Sequence, residues 1–202
     1  MQRVRIHFSK DGPLRFSGHL DLMRAWERLL RRAHVPVAYS QGFNPRPRLN
    51  LAAALPLGYT SECEMIDAWL DEPLRPDELL DRLKATTPPG LTVYAAHEVE
   101  LKAKSPQSQL LSAEYRVRLA SSPDLAARVE SLLAASTLPR ERRGKSYDLR
   151  PLVEALELDD EGLWMRLSAL PSATGRPDEV LLALELDPLA LRIHRTKLLS
   201  KE

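Results

Sequence analysis

Residues 40–50 read SQGFNPRPRLN, a run in which two prolines alternate with two arginines behind a glycine and a phenylalanine. Pro45 and Pro47 fix their own φ and bias Asn44 and Arg46 toward extended conformations. Arg46 and Arg48 are two residues apart, so an extended segment projects both to one side. Guanidinium groups on a stiff backbone donate bidentate forks to phosphates or carboxylates at small entropic cost. Gly42 lets the chain turn, Phe43 is expected to pack down as the loop's anchor, and Gln41 and Asn44 are its polar neighbours. The functional reading is a clamp for an anion or an RNA backbone. The alternative is a proline-stiffened connection whose arginines pair with the acidic 62–72 segment.

A second stretch, FSGHLDLMRAWERLLRR (16–32), opens a helix at Ser17 or Gly18. His19 then lies in the first turn, beside the positive end of the helix dipole, where a base or a hydrogen-bond partner is expected of it. Asp21 suits the same turn and can pair with a nearby arginine. No nucleophile or second acid accompanies His19, so capping and orienting the 40–48 loop is expected of it rather than catalysis. A third stretch, RERRGKSYDLRP (140–151), carries five Lys/Arg against two acids. Arg142, Arg143 and Lys145 around Gly144, with Tyr147 beside them, suit a nucleic-acid-contacting hairpin or loop. A solvated charged loop is the competing reading.

Other chemistry is missing from the pattern. His7, His34, His97 and His194 are scattered, none at metal-ligand spacing, so neither metal nor cofactor is expected. There is no Walker loop, no G-x-G-x-x-G, no G-x-S-x-G and no C-x-x-C. The single cysteine, Cys63, excludes an internal disulfide and the three-cysteine motif of a radical SAM cluster. No apolar run approaches the roughly 18 residues that span a bilayer, and the start, MQRVRIHF, is unlike a signal peptide. A cytoplasmic location is the expectation. The net charge of +1 conceals asymmetry: ten Lys/Arg against three Asp/Glu in 1–54, then three against ten in 55–100. That points to a basic surface around the first helix and loop, with Arg24, Arg28, Arg31 and Arg32 on the helix, opposed by an acidic edge.

The elements that must position these residues follow from periodicity. Val4, Ile6 and Phe8 alternate in a strand, and Leu20, Met23, Trp26, Leu29 and Leu30 give a helical stripe to about Ala33. Strands are expected over 35–40, 49–57, 64–70 and 91–101, with a helix over 77–85 introduced by Pro76. The polar stretch KAKSPQSQ (102–109) reads as a linker. Strand and helix patterns then recur: strands at 113–120, 162–170 and 191–199, helices at 123–136 and 176–186, and a basic extended stretch at 138–153. The expected fold class is α+β, a tandem pair of ferredoxin-like β-α-β-β-α-β units. Residues 1–101 form the first, 102–109 the linker, and 110–202 the second.

Residues 15–58, with SGHLDLMR and YSQGFNPRPR within them, resemble the radical SAM-linked family, domain of unknown function 2344. KSYDLRPLVEALEL (145–158) and LRIHRTKLL (191–199) extend that resemblance over nearly the whole chain. It implies a radical SAM protein as partner and an association with RNA biology, without implying a reaction. By fold analogy alone, TruA-type pseudouridine synthases place an aspartate where this chain has SQGFNPRPR, and no aspartate stands there. Cas6-type endonucleases use a first-helix histidine that His19 would match, but their C-terminal glycine-rich loop is missing. The leading expectation is an accessory RNA-binding or substrate-presenting domain with no catalytic activity of its own. The alternatives are a protein–protein adaptor docking a radical SAM enzyme, and a metal-independent endoribonuclease using His19.

Overall fold

Strand β1 (Gln2–Lys10) sends Val4, Ile6 and Phe8 into a core where none is exposed, and turns Arg3, Arg5 and His7 to the opposite face. Helix α1 (His19–Arg32) covers that core with Leu22, Ala25, Trp26, Leu29 and Leu30, the i, i+3, i+4, i+7, i+8 stripe of a half-buried helix. Leu20, expected on that stripe, is exposed, because the buried face is centred on Leu22 and Trp26. Trp26 meets Phe8 edge-on at 4.9 Å. The helix closes with His34 in the left-handed region (φ 52°) and Val35 N–H bonded to Leu30 O at 3.0 Å, a six-to-one closure where glycine is usual.

This computed structural model describes residues 1–142 and 144–201. The chain divides into two compact units, Met1–Gln109 and a second beginning at Leu110. Both are α+β. In the first, β1 is followed by α1, β2 (Leu49–Leu51), β3 (Thr60–Leu70), α2 (Pro76–Lys84) and β4 (Leu91–Val99). All pairings among its strands are antiparallel, in the spatial order β2-β3-β1-β4. Pro76 starts α2 at a position that needs no N–H, and Leu79 and Leu83 bury its inner face. Gly90, at φ 88°, brings its carbonyl to Asp11 N–H at 2.9 Å. A Cβ there would lie 2.5 Å from Asp11 O, so that turn requires glycine.

The expected strand over 35–40 does not form as one. Ala38 N–H reaches Trp69 O at 2.7 Å and Asp71 N–H reaches Pro36 O at 2.8 Å, leaving only isolated bridges at Val37 and Tyr39. Pro36 has no N–H to continue a ladder, and the pairing resumes at Leu49. The 102–109 stretch ends in a single turn, α3 (Pro106–Gln109).

The second unit runs β5 (Leu110–Val117), α4 (Pro123–Ala134), β6 (Pro139–Arg142), β7 (Lys145–Asp148), β8 (Val153–Asp159), β9 (Gly162–Leu170), β10 (Ala173–Thr174), α5 (Pro177–Ala183) and β11 (Ile193–Ser200). Its antiparallel sheet has the order β8-β9-β5-β11, with β10 paired to the end of β9. Ser122 caps α4 by accepting from Leu125 N–H at 3.2 Å. Leu125, Val129 and Leu132 of α4 are buried, as are Val180 and Leu181 of α5. Tyr115, Met165, Val117 and Leu163 are paired across β5 and β9 and all buried. Strand β8 was not expected: VEALELD is built from strong helix formers and takes its conformation from pairing with β9. Among the described residues, no helix is long and apolar enough to cross a membrane.

Candidate functional site

The 38–48 segment of the first unit is a hairpin-like excursion with a tied base. Arg48 N–H donates to Ala38 O at 2.8 Å, and Trp69 N–H donates to Arg48 O at 3.1 Å. One step further out, Ser40 N–H donates to Arg46 O at 2.8 Å and Arg46 N–H to Ser40 Oγ at 3.0 Å. The bend itself is Gln41, Gly42, Phe43 and Asn44, all exposed, with Gly42 at φ 134°. Phe43 does not pack down as expected; its ring is fully exposed at the tip. The loop is held by backbone bonds at its base, so it needs no aromatic anchor.

The two arginines of that loop are placed differently. Arg46 is exposed and has no ion pair among the described residues. Arg48 lies over the Trp69 ring at 5.1 Å, with an Nη1 contact to Met1 Sδ at 3.4 Å. Neither arginine pairs with the acidic 62–72 segment. Its Asp67 is fully buried and already held by Arg3 (Nε 3.0 Å, Nη2 2.5 Å) and Arg5 (Nε 2.7 Å, Nη2 3.1 Å). Arg3 is itself 2% exposed, has its guanidinium over the Trp69 ring at 4.9 Å from the centroid, and donates to the carbonyls of Ala103 and Lys104. The stretch read as a linker is thus tied, at Ala103 and Lys104, to a buried side chain.

On α1, Arg28, Arg31 and Arg32 are exposed. Asp21 and Arg24 approach to 3.5 Å, but at 62% and 70% exposure the pair contributes little. His19 is the first residue of α1 and exposed, and its side chain makes no hydrogen bond to the 40–48 loop among the described residues. The cap residue is Gly18, without a side-chain bond.

In the second unit, the basic stretch at 138–153 is a two-stranded hairpin, β6 with β7, pairing Arg142 with Lys145 and Arg140 with Tyr147. Arg143, a candidate contact residue, lies outside the described residues. Gly144 takes φ 73° in the turn. The base is fixed by Asp148, whose Oδ1 accepts from Leu138 N–H at 2.7 Å and Arg150 N–H at 3.0 Å. Arg150 then donates to Leu133 O and Val153 O, tying the hairpin to the end of α4. Arg142 and Lys145 are exposed and have no ion pair among the described residues.

Beside this hairpin is a cleft of about 330 Å³, lined by Arg142, Lys145, Tyr147 and Asp148 of the hairpin, by Leu152, and by Ser172, Ala173, Thr174 and Arg176. Burial, then the neighbouring Glu179, raises the Tyr147 phenol above its ordinary value, so it remains a hydrogen-bond donor at neutral pH. Arg176 is forked onto Asp178 at 3.0 Å, so the charge offered to a ligand comes chiefly from Arg142 and Lys145. Donors and cations of this kind suit an anionic group. The Ser172–Arg176 wall was missed in sequence, where only the helix start at Pro177 stood out.

A family model described as an uncharacterized protein conserved in bacteria (DUF2344) matches residues 3–179. No curated protein matches the chain. Among solved structures, a chain from a crystal structure of a Cbf5–Nop10–Gar1 complex is similar at 11% identity and a TM-score of 0.46, over 96% of this chain. This chain spans 48% of that one, about half its length.

Proposed function

We propose a role for a chain that belongs to the bacterial family DUF2344: it is an accessory module that binds RNA through backbone phosphates and presents it to a partner enzyme. The observation that carries this reading is a correspondence between the units. Each inserts a cation-bearing excursion at the same point, after its first helix and before the second strand of its sheet: residues 38–48 in one and β6–β7 in the other. Both are anchored at the base and exposed at the tip, and Arg46, Arg142 and Lys145 are not consumed by ion pairs among the described residues. The reading treats the two units as ferredoxin-like repeats, supported by their strand orders β2-β3-β1-β4 and β8-β9-β5-β11. The partner in this reading is a radical SAM protein or an RNA-processing assembly, supported by the likeness of SGHLDLMR and YSQGFNPRPR to the radical SAM-linked family. The test is binding of labelled single-stranded RNA at two salt concentrations. Affinity that falls steeply with salt is expected; no binding at low salt would sink the proposal.

A second reading, an adaptor that docks a protein, is favoured by one observation. Phe43 stands fully exposed at the end of a stiff loop, as an aromatic anchor for a partner's pocket would. Phe43→Ala separates the two: loss of partner capture with RNA affinity unchanged supports docking.

A further inference from the structure

The sheet face of the first unit opposite α1 carries a row of rings that the charge argument does not use. His7 of β1 and His97 of β4 stack with centroids 5.2 Å apart and planes 29° from parallel. Tyr94 continues the row at 6.1 Å from His7, and its hydroxyl donates to Glu62 O of β3 at 3.0 Å. The phenol therefore reaches β3, while the rings themselves belong to β1 and β4. Tyr94 is 44% exposed and His97 is exposed.

We propose that this row is a stacking platform for unpaired nucleobases, so that the RNA taken by the first unit is single-stranded; this rests on the RNA-binding reading above. Unstacked bases are received on Tyr, His, Phe and Trp faces, whereas bases in a duplex are already stacked on each other. The rings here have polar edges, which suits a base better than an apolar protein surface. The charge of the face is mixed. Arg3 and Arg5 cover the buried Asp67, while burial first, and then neighbours that include Glu64 and Glu62 of β3, raise the Tyr94 phenol above its ordinary value, so what this face offers a ligand is ring surface rather than net charge. Burial and the adjacent His97 and Arg5 hold His7 neutral near physiological pH, against a smaller opposing pull from Asp67.

The experiment measures affinity of the full chain for an oligoadenylate bearing a fluorescent adenine analogue, beside a duplex RNA of the same length. The wild-type protein should quench the analogue. Tyr94→Ala/His97→Ala should lose quenching and weaken single-strand binding roughly tenfold, with the duplex unaffected. Tyr94→Phe, which keeps the ring and loses the bond to Glu62, should retain quenching and guards against a folding artefact. Wild-type binding that survives unchanged in the double variant would overturn the platform alone. An equal loss for single strand and duplex would do the same, since that reports charge or fold. Capture of a protein partner that depends on these rings, with RNA binding indifferent to them, would also overturn it. A wild-type protein that binds neither RNA would overturn the platform together with the reading beneath it.

Discussion

The two excursions occupy matching places in their units yet are built by opposite means. Residues 38–48 are stiffened by Pro45 and Pro47 and hung on the β3 backbone at Trp69. β6–β7 has no such prolines at its turn and depends on side chains, Asp148 and Arg150, to clamp its base. The tips differ in kind as well. The first presents an aromatic ring with one cation behind it that has no ion pair among the described residues, while its other arginine rests on Trp69. The second presents two cations beside a cleft. The same insertion point thus serves shape in one unit and charge in the other. A stiff backbone loop can display an apolar group without collapsing onto it; a side-chain-clamped hairpin can keep like charges together at a turn.

The strongest way to break this comparison is to remove the support of one excursion and leave the other. Asp67→Ala leaves Arg3 and Arg5 facing each other in a buried site, which costs about 3–5 kcal/mol. Denaturant unfolding should show that loss, and proteolysis should open the 40–48 loop while β6–β7 stays resistant. Asp148→Ala removes two backbone hydrogen bonds at the hairpin base, a cost of about 1–2 kcal/mol. Amide exchange should then rise in 138–148 with the 38–48 region unchanged. If either variant loosened both excursions, their separate construction would be wrong.

Charge removal sharpens the contrast. Arg142→Ala/Lys145→Ala should reduce the salt slope of RNA binding by about two, and Arg46→Ala by about one. Arg48→Ala should act on thermal stability more than on the slope, because its guanidinium is committed to Trp69. An Arg48→Ala slope change as large as that of Arg46→Ala would reinstate the paired clamp. The smallest effect expected is a pH dependence. Folding holds His7 below its ordinary value, chiefly through burial. As pH falls through about 6.5, the unfolded chain takes up a proton that the folded chain resists, so stability drops with acid and recovers as pH rises. Melting temperatures between pH 5 and 8 should show this contribution, and His7→Gln should remove it.

Sequence periodicity located most elements because their faces are unequal. The Val4–Ile6–Phe8 alternation and the Trp26–Leu29–Leu30 stripe are both buried. It failed where tertiary pairing overrode local preference. VPVAYS has strand composition, but Pro36 withholds a donor; VEALELD has helix composition, but β9 supplies a partner. The α+β class was legible, and so was the basic character of 140–151. The opposite fates of Arg46 and Arg48 were not, since only the register of Trp69 puts a ring beneath the second. Nor was the ring row, because His7 and His97 become neighbours through a β1–β4 register with a bulge at His7.

Trp69 has an optical consequence. Its indole has one guanidinium about 4.9 Å away from β1 and another about 5.1 Å away from the loop. Indole emission responds to nearby fixed charge, and only the second of these charges moves if the loop lifts. Of three tryptophans in the chain, Trp26 is sealed in the core and Trp164 belongs to the other unit. Trp69 is thus a built-in fluorophore for the 38–48 loop, able to register a ligand's arrival without any label.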